Sequence, residues 1–297
     1  KNITMDTTGK PLTVGDRIVT CTIPCGHCDA CLNMRDRDNL CENSGIYGLM
    51  PEDDHYHFNG WFSDYLVIRK GSTFFKVNDM SLKLRLLIEP AAVVVHAVER
   101  AKATGLITFN SNVLIQGVGP IGLMLLAVVR TMGVENITVV DGDEKRLQMA
   151  KRFGAKYTVN FKNYKDLDEE IRRVKEVTGG RGADFAFQCT GVPSAASNVW
   201  KFVKRGGGLA EIGFFVDNGS CTINPHFDIC NKEITMVGSW TYKVSDYPIT
   251  MDFLKRAVGI GLPIEELVTH EFPLDQMNEA MDVNMKQLGI KIAYVAK

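Results

Sequence analysis

The sequence predicts an α/β fold: a doubly wound parallel sheet joined to a second, β-rich domain. Three observations predict it. From residue 113 to 238, short β-like runs alternate with helical stretches of about 10–15 residues, the signature of successive βαβ units. Residues 1–80 have a different texture, with short β-like runs broken by Gly, Asp and Asn turns. The length of 297 residues exceeds the usual ~100–200 residues of one domain.

In chain order, DRIVT, YLVIRK and FFKVND read as strands of the first region, and residues 28–60 as loops. EPAAVVVHAVERA reads as a helix, with Glu89 and Pro90 as its start because Pro is favoured in a first turn. VLIQG is a buried strand followed by the helix PIGLMLLAVVRTMG, which Gly133 ends. ITVVD, YTVNF and ADFAFQCTG are further strands, each followed by a helix: DEKRLQMAKRFG, KDLDEEIRRVKEVTGG and SAASNVWKFVKRGG. LAEIGFF and EITMVGSW complete the sheet, the latter at its edge. The helix YPITMDFLKRAV, the strand VTHEFP, the helix DQMNEAMDVN and the strand IKIAYV close the chain.

Composition excludes several classes. The chain is 45% hydrophobic and 23% charged, an ordinary globular balance. Its 34 Lys+Arg against 35 Asp+Glu leave a net charge of −1, so no basic field recruits nucleic acid or acidic membrane. No apolar h-region follows Lys1, and the longest apolar run, LMLLAVV, is far short of the ~20 residues of a membrane span. Five of the eight cysteines fall between Cys21 and Cys41, which favours a metal in a reducing, cytoplasmic setting over a disulfide framework.

Gly117, Val118, Gly119, Pro120, Ile121 and Gly122 follow a strand and open a helix. Gly117 suits the tight turn, Gly119 leaves room for a pyrophosphate, and Gly122 permits close helix–strand packing. The helix N-terminus offers free N–H groups to phosphate. Asp141, ending ITVVD, stands where an acid accepts hydrogen bonds from the ribose 2′-OH, and its charge disfavours a 2′-phosphate. NAD is therefore expected, with NADP less favoured and with Lys145 and Arg146 tempering the preference; a helix N-terminal acid is the alternative reading of Asp141.

Cys25, Cys28, Cys31 and Cys41 can surround a tetrahedral Zn2+, and four thiolates leave no open position, so such a site is structural. A ferredoxin cluster would need another cysteine four positions after Cys31, followed by Pro, and Met34, Arg35 and Asp36 stand there instead. Cys21 reads as a packing residue and His27 as solvent-facing.

Together these segments resemble the zinc-containing medium-chain dehydrogenase/reductase family, in its sorbitol/threonine dehydrogenase branch. VGDRIV with PCGHCDAC, GWFSDYLVI, EPAAVVVHAVERA, GGRGADFAFQCTG, RGGGLAEIG, GSWTYKVSDYP and LVTHEFPLDQMNEAMDVNMKQLGIKI carry the resemblance over nearly the whole chain. The family usually has seven residues between its third and fourth lobe cysteines; nine stand here. The resemblance implies a Rossmann domain at 91–238 and a GroES-like catalytic domain at 1–90 and 239–297. That domain reads as N-terminally incomplete, because the chain opens on Lys1 and the Cys and Gly-His-Glu ligands of the family's catalytic zinc do not precede Val14.

The implied activity is hydride transfer between a secondary alcohol or polyol and NAD. A zinc acts as Lewis acid on the alcohol oxygen, with Glu89 as the retained direct or water-mediated metal contact; a charge at a helix N-terminus is the alternative reading of Glu89. Arg146 is implied beside the adenosine, Thr190, Gly191 and Gly213 along the cofactor groove, and Lys291 at the pyrophosphate. His96 reads as a packed core residue, and His55 and His57 as loop residues. Trp240 and Tyr242 face either the pocket or a subunit contact. Edge-strand pairing implies a homodimer or homotetramer. The alternatives are a threonine dehydrogenase and a non-catalytic NAD-binding fragment.

Overall fold

A computed structural model describes residues 4–34, 36–51 and 57–296. The chain divides into two compact units: Lys1–Ala92, Thr241–Asp252 and Glu265–Lys297 form one, and Val93–Trp240 with Phe253–Ile264 the other. No helix among the described residues is long and apolar enough to cross a membrane.

In the first unit, β1 (Ile18–Thr20) pairs antiparallel with β2 (Phe74–Lys76), and the short helix α1 (Asp29–Leu32) lies in the cysteine segment. YLVIRK, expected as a strand, has no strand structure. Tyr65 and Val67 are exposed, and the segment's backbone bonds go to scattered partners: the Val67 N–H to the Phe58 carbonyl and the Arg69 N–H to the Tyr47 hydroxyl. Without a neighbouring strand to supply a regular ladder, β propensity alone does not make a strand.

Helix α2 (Leu82–Lys102) starts well before the expected Glu89. Ser81 begins it, its Oγ accepting the Leu84 N–H at 3.2 Å. Pro90 is therefore interior to the helix, and Glu89 is not a helix N-terminal charge. The proline removes one backbone donor and disfavours helix, and tertiary burial overrides it. Pro90, Ala91, Ala92, Val94 and Val95 are all buried.

In the second unit, β3 (Val113–Gln116), β4 (Ile137–Asp141), β5 (Tyr157–Asn160), β6 (Ala183–Gln188), β7 (Val203–Glu211) and β8 (Thr235–Gly238) form a six-stranded sheet. Every neighbouring pair is parallel, in the order β5-β4-β3-β6-β7-β8. This is the Rossmann order, with its switch point between β3 and β6. Helices α3 (Pro120–Thr131), α4 (Glu144–Arg152), α5 (Leu167–Val177) and α6 (Pro193–Phe202) connect the strands. Val113, Leu114 and Ile115 are fully buried, as a strand covered on both faces requires. In α3 every residue from Gly122 to Val129 is buried, so LMLLAVV is a core helix. Each such large apolar side chain contributes roughly 1.5–3 kcal/mol through burial. β8 is an edge strand with Thr235 and Met236 exposed.

The chain closes with α7 (Asp246–Gly259), then β9 (Val268–Phe272), α8 (Met277–Met285) and β10 (Lys291–Tyr294), β9 and β10 pairing in parallel.

Candidate functional site

At the switch point, Gln116 of β3 stands in register with Gln188 of β6, and the loops that follow both strands meet. Gly117 has φ 87°, and a Cβ there would lie 2.3 Å from Thr190 Cγ2. A Cβ on Gly122 would come within 1.9 Å of the Gly117 carbonyl oxygen. Gly119 differs: the nearest atom to its notional Cβ is Arg146 Nη1, at 3.9 Å. Its missing side chain leaves an open cradle at the start of α3, where Pro120 occupies the first turn and unpaired backbone donors gather. This donor set and open surface fit a dinucleotide pyrophosphate.

Asp141, at the end of β4, is fixed from two sides. Its Oδ2 accepts the Val118 N–H at 2.8 Å and its Oδ1 the Asp143 N–H at 2.9 Å. The carboxylate therefore locks the glycine turn and keeps lone pairs for a ribose hydroxyl. Asp143 caps α4 by accepting the Arg146 N–H at 3.0 Å. Gln188 Oε1 accepts the Thr190 N–H, holding the turn after β6. A Cβ on Gly213 would meet the Thr190 carbonyl oxygen at 1.9 Å, and one on Gly191 would meet Asn218 Nδ2 at 2.5 Å. Gly117, Thr190, Gly191 and Gly213 thus form one close-packed set of loops.

Glu211, ending β7, accepts the Gly213 N–H at 2.8 Å. Burial pushes its carboxyl up to about 7 against the opposing pull of the Gly213, Ile212 and Phe214 amides. Burial also raises the neighbouring Cys189 thiol, and the Glu211 charge adds to that effect.

In the first unit, the Sγ atoms of Cys25, Cys28, Cys31 and Cys41 all lie within 4.8 Å of one another. Cys28 and Cys31 are 3.5 Å apart and Cys25 and Cys31 4.0 Å. Tetrahedral zinc with bonds of ~2.3 Å implies sulfur separations of about 3.8 Å, so the set fits the ion. The Cys25 N–H points at Cys41 Sγ, 3.2 Å away, despite the nine intervening residues after Cys31. The His27 N–H lowers the Cys25 thiol to about 6, with further help from the Cys28 N–H. Cys31 also receives an N–H, from Gly26, but burial and the neighbouring thiols outweigh it and push it up to about 12. With all four deprotonated, thiolates at this spacing would repel one another without a cation among them. His27 is exposed and its Nδ1 contacts the Cys25 carbonyl at 2.9 Å, outside the sulfur set.

Glu89 is exposed to solvent, yet protein atoms around its carboxyl desolvate it. Desolvation raises its carboxyl above the usual range, while the Lys291 ammonium and the Tyr242 hydroxyl oppose the shift. Tyr242 is buried, with its ring 5.4 Å from that of Tyr247. Among the described residues, Glu89 is not gathered with other His, Cys or acidic side chains into a metal-binding group; the four cysteines form the one such group. The described residues therefore do not assemble the ligands for a catalytic zinc around Glu89. His96 is buried, His57 lies on an exposed loop, and His55 falls outside the described residues.

Sequence reasoning passed over Gln188 and Glu211 as structural partners of the glycine loops, and it placed Tyr242 at the pocket or a subunit contact without naming Glu89 as its partner. A signal existed for the first two. Gln in the apolar run FAFQC and Glu in LAEI are polar groups inside buried strands, and such groups need partners.

Comparison with known proteins agrees with both units. Residues 4–79 match the model of the alcohol dehydrogenase GroES-like domain, and residues 120–256 that of the zinc-binding dehydrogenases. A sorbitol dehydrogenase of Bacillus subtilis (strain 168) is 34% identical over 270 residues, 91% of this chain and 70% of that protein. An L-idonate 5-dehydrogenase of Vitis vinifera is 29% identical over 281 residues, 93% of this chain and 71% of its own length. The crystal structure of an alcohol dehydrogenase from Thermotoga maritima superposes with a TM-score of 0.90 at 27% identity, covering 99% of this chain and 79% of that one. The glycine turn, the four-cysteine lobe and these likenesses converge: the chain belongs to the zinc-containing medium-chain dehydrogenase/reductase family, oxidoreductases acting on CH–OH groups.

Proposed function

We propose that this chain carries the NAD-binding machinery and part of the substrate pocket of a secondary alcohol or polyol dehydrogenase. The observation that carries the reading is the open cradle at Gly119, at the switch point, with Asp141 locked beside it. The α3 N-terminus and the Gly117–Gly122 turn bind the pyrophosphate, and Asp141 accepts the ribose hydroxyls and disfavours a 2′-phosphate. Arg146 flanks the adenosine side. Thr190, Gly191 and Gly213 shape the groove for the nicotinamide half. Lys291 supplies positive charge to Glu89. When bound, NAD accepts the hydride from the carbinol carbon, the hydroxyl proton being released to give the carbonyl product. Glu89 is the side chain that this chain would bring to a catalytic zinc. Because the described residues do not assemble the remaining ligands, no step is assigned to that ion. A zinc held by Cys25, Cys28, Cys31 and Cys41 is structural.

The similarity to a sorbitol and an idonate dehydrogenase supports polyols as the substrate class. We place the enzyme in the cytoplasm, on its cysteine usage. We assign it a homodimer or homotetramer, on the exposed edge of β8. The domain organisation proposed is a catalytic domain at 1–90 and 239–297 around a nucleotide domain at 91–238.

The test is NADH production by the zinc-loaded protein across polyols, threonine and simple secondary alcohols. No turnover on any of them overturns the reading, and preference for threonine over sorbitol replaces it with a threonine dehydrogenase. Bound zinc counts the sites: one per chain fits the lobe alone, as for a non-catalytic NAD-binding fragment, and two fit a working enzyme.

A further inference from the structure

The four-cysteine lobe is joined to the turn that follows Tyr242, beside Glu89, by two aspartates that the sequence pattern did not single out. Asp36 and Asp38 lie in the nine-residue span between Cys31 and Cys41. Asp36 Oδ2 receives Lys243 Nζ at 2.5 Å and its Oδ1 receives Ser245 Oγ at 3.0 Å. Asp38 Oδ2 accepts the Val244 N–H at 2.9 Å. On the far side, Asp246 is 1% exposed and accepts the Lys243 N–H at 2.8 Å, its other oxygen standing 4.0 Å from Lys243 Nζ. Three consecutive residues, Lys243, Val244 and Ser245, are therefore gripped by carboxylates of the lobe.

The residue before this grip is Tyr242, the hydroxyl that faces Glu89. Both ends of the connection are conformationally demanding. Asp36 has φ 57° and Thr241 φ 47°, left-handed values that persist in non-glycine residues only where the surroundings fix them. Tyr242 packs on Tyr247, whose ring stacks on Phe75 of β2 at 5.3 Å, so the tyrosine rests against the same unit that carries the lobe.

We propose that Asp36 and Asp38 are positioning residues: they clasp the 243–245 turn to the metal lobe, so that loading of the four cysteines sets where Tyr242 stands beside Glu89. The catalytic meaning of that placement rests on the reading of Glu89 given above; the clasp itself does not. Lobe and turn form one linked system, and linkage is reciprocal: zinc on the cysteines orders the turn, and the turn raises the lobe's affinity for zinc by the same factor.

The test is amide hydrogen exchange across 241–247 in the full chain, with and without zinc, together with zinc affinity by chelator competition. Removing zinc should speed exchange at Tyr242–Val244 about tenfold while the amides of Leu114 and Ile115 in β3 stay protected. D36N/D38N should show the same fast exchange with zinc still bound, and should bind zinc about tenfold more weakly. Asp36→Glu should restore much of both. Lys243→Met breaks the grip from the other side with every lobe residue intact, and its zinc affinity should fall in parallel. Unchanged protection at Tyr242–Val244 after zinc removal, or zinc affinity in Lys243→Met equal to that of the parent, overturns the proposal. If the chain turns over a polyol, D36N/D38N should lower kcat and leave the KM for NAD unchanged. Exchange and zinc affinity need no turnover, so an inactive chain would fail the dehydrogenase reading while leaving this test intact.

Discussion

Asp141 illustrates how one side chain serves fold and ligand together. Its two oxygens hold the Val118 and Asp143 amides, so the acid proposed to discriminate between cofactors also shapes the turn proposed to receive them. Asp141→Ala should raise the KM for NAD about tenfold, equivalent to ~1.4 kcal/mol. It should also narrow the ratio of kcat/KM between NAD and NADP, because the repulsion of a 2′-phosphate is lost; an unchanged ratio would remove Asp141 from specificity. Gly119 and Gly122 separate binding from stability. Gly122→Ala forces a methyl to 1.9 Å from the Gly117 carbonyl and should lower stability by about 2 kcal/mol or more in a thermal melt. Gly119→Ala meets nothing closer than 3.9 Å and should melt like the parent, yet lose NAD binding by calorimetry. Equal effects of the two substitutions on NAD binding and on melting would contradict the assignment of the cradle.

At the scale of elements, the cysteine lobe and β8 are the two that depend on something beyond their own segment. The lobe is polar and mostly loop, and zinc binding supplies the free energy its small core does not. Cys41→Ser should release the metal and lower the melting temperature, and chelation of the parent should produce the same shift; a parent melt insensitive to chelation would rule out a structural zinc. Among the described residues β8 has no strand on its outer side, and it exposes Met236. Met236→Lys should shift sedimentation toward the monomer, and an oligomer indifferent to that charge would place the subunit contact elsewhere. Helix α2 shows how an element misleads when read locally. Glu-Pro reads as a helix start because Pro favours a first turn, whereas the start belongs to Ser81 and the packing of the following helix carries it through Pro90. YLVIRK misled in the opposite way, its β propensity having no partner strand to act on.

For the molecule as a whole, Glu211 gives stability a pH dependence. Its carboxyl is pushed up to about 7 in the folded chain by burial, above its ordinary 4.5. The folded state therefore binds the proton more tightly than the unfolded state. The contribution is fully present below about 4.5 and is lost as pH rises through about 7, amounting to at most roughly 3 kcal/mol. Urea unfolding followed from pH 5 to 8 should show this decline, and Glu211→Gln should flatten it; an identical slope in the variant would assign the dependence to other groups.

The alternation of strands and helices, the glycine turn with its acid and the four-cysteine lobe were all legible in the sequence. Each is a local pattern enforced by short-range chemistry: periodicity that matches one secondary structure, glycine where a Cβ would collide, thiols spaced for one ion. The strand order β5-β4-β3-β6-β7-β8, the contact of Thr190 and Gly213 with the glycine turn, the Tyr242–Glu89–Lys291 cluster and the aspartate grip on 243–245 were not. They join residues tens to hundreds of positions apart, and a carboxylate such as Asp36 looks like any solvated surface charge until the chain folds and brings Lys243 against it. By itself the sequence determined which family this chain belongs to and named the candidates for meeting a dinucleotide and a zinc. Only the tertiary structure decided which polar groups share a site, because partners remote in sequence are selected by packing, which no local pattern records.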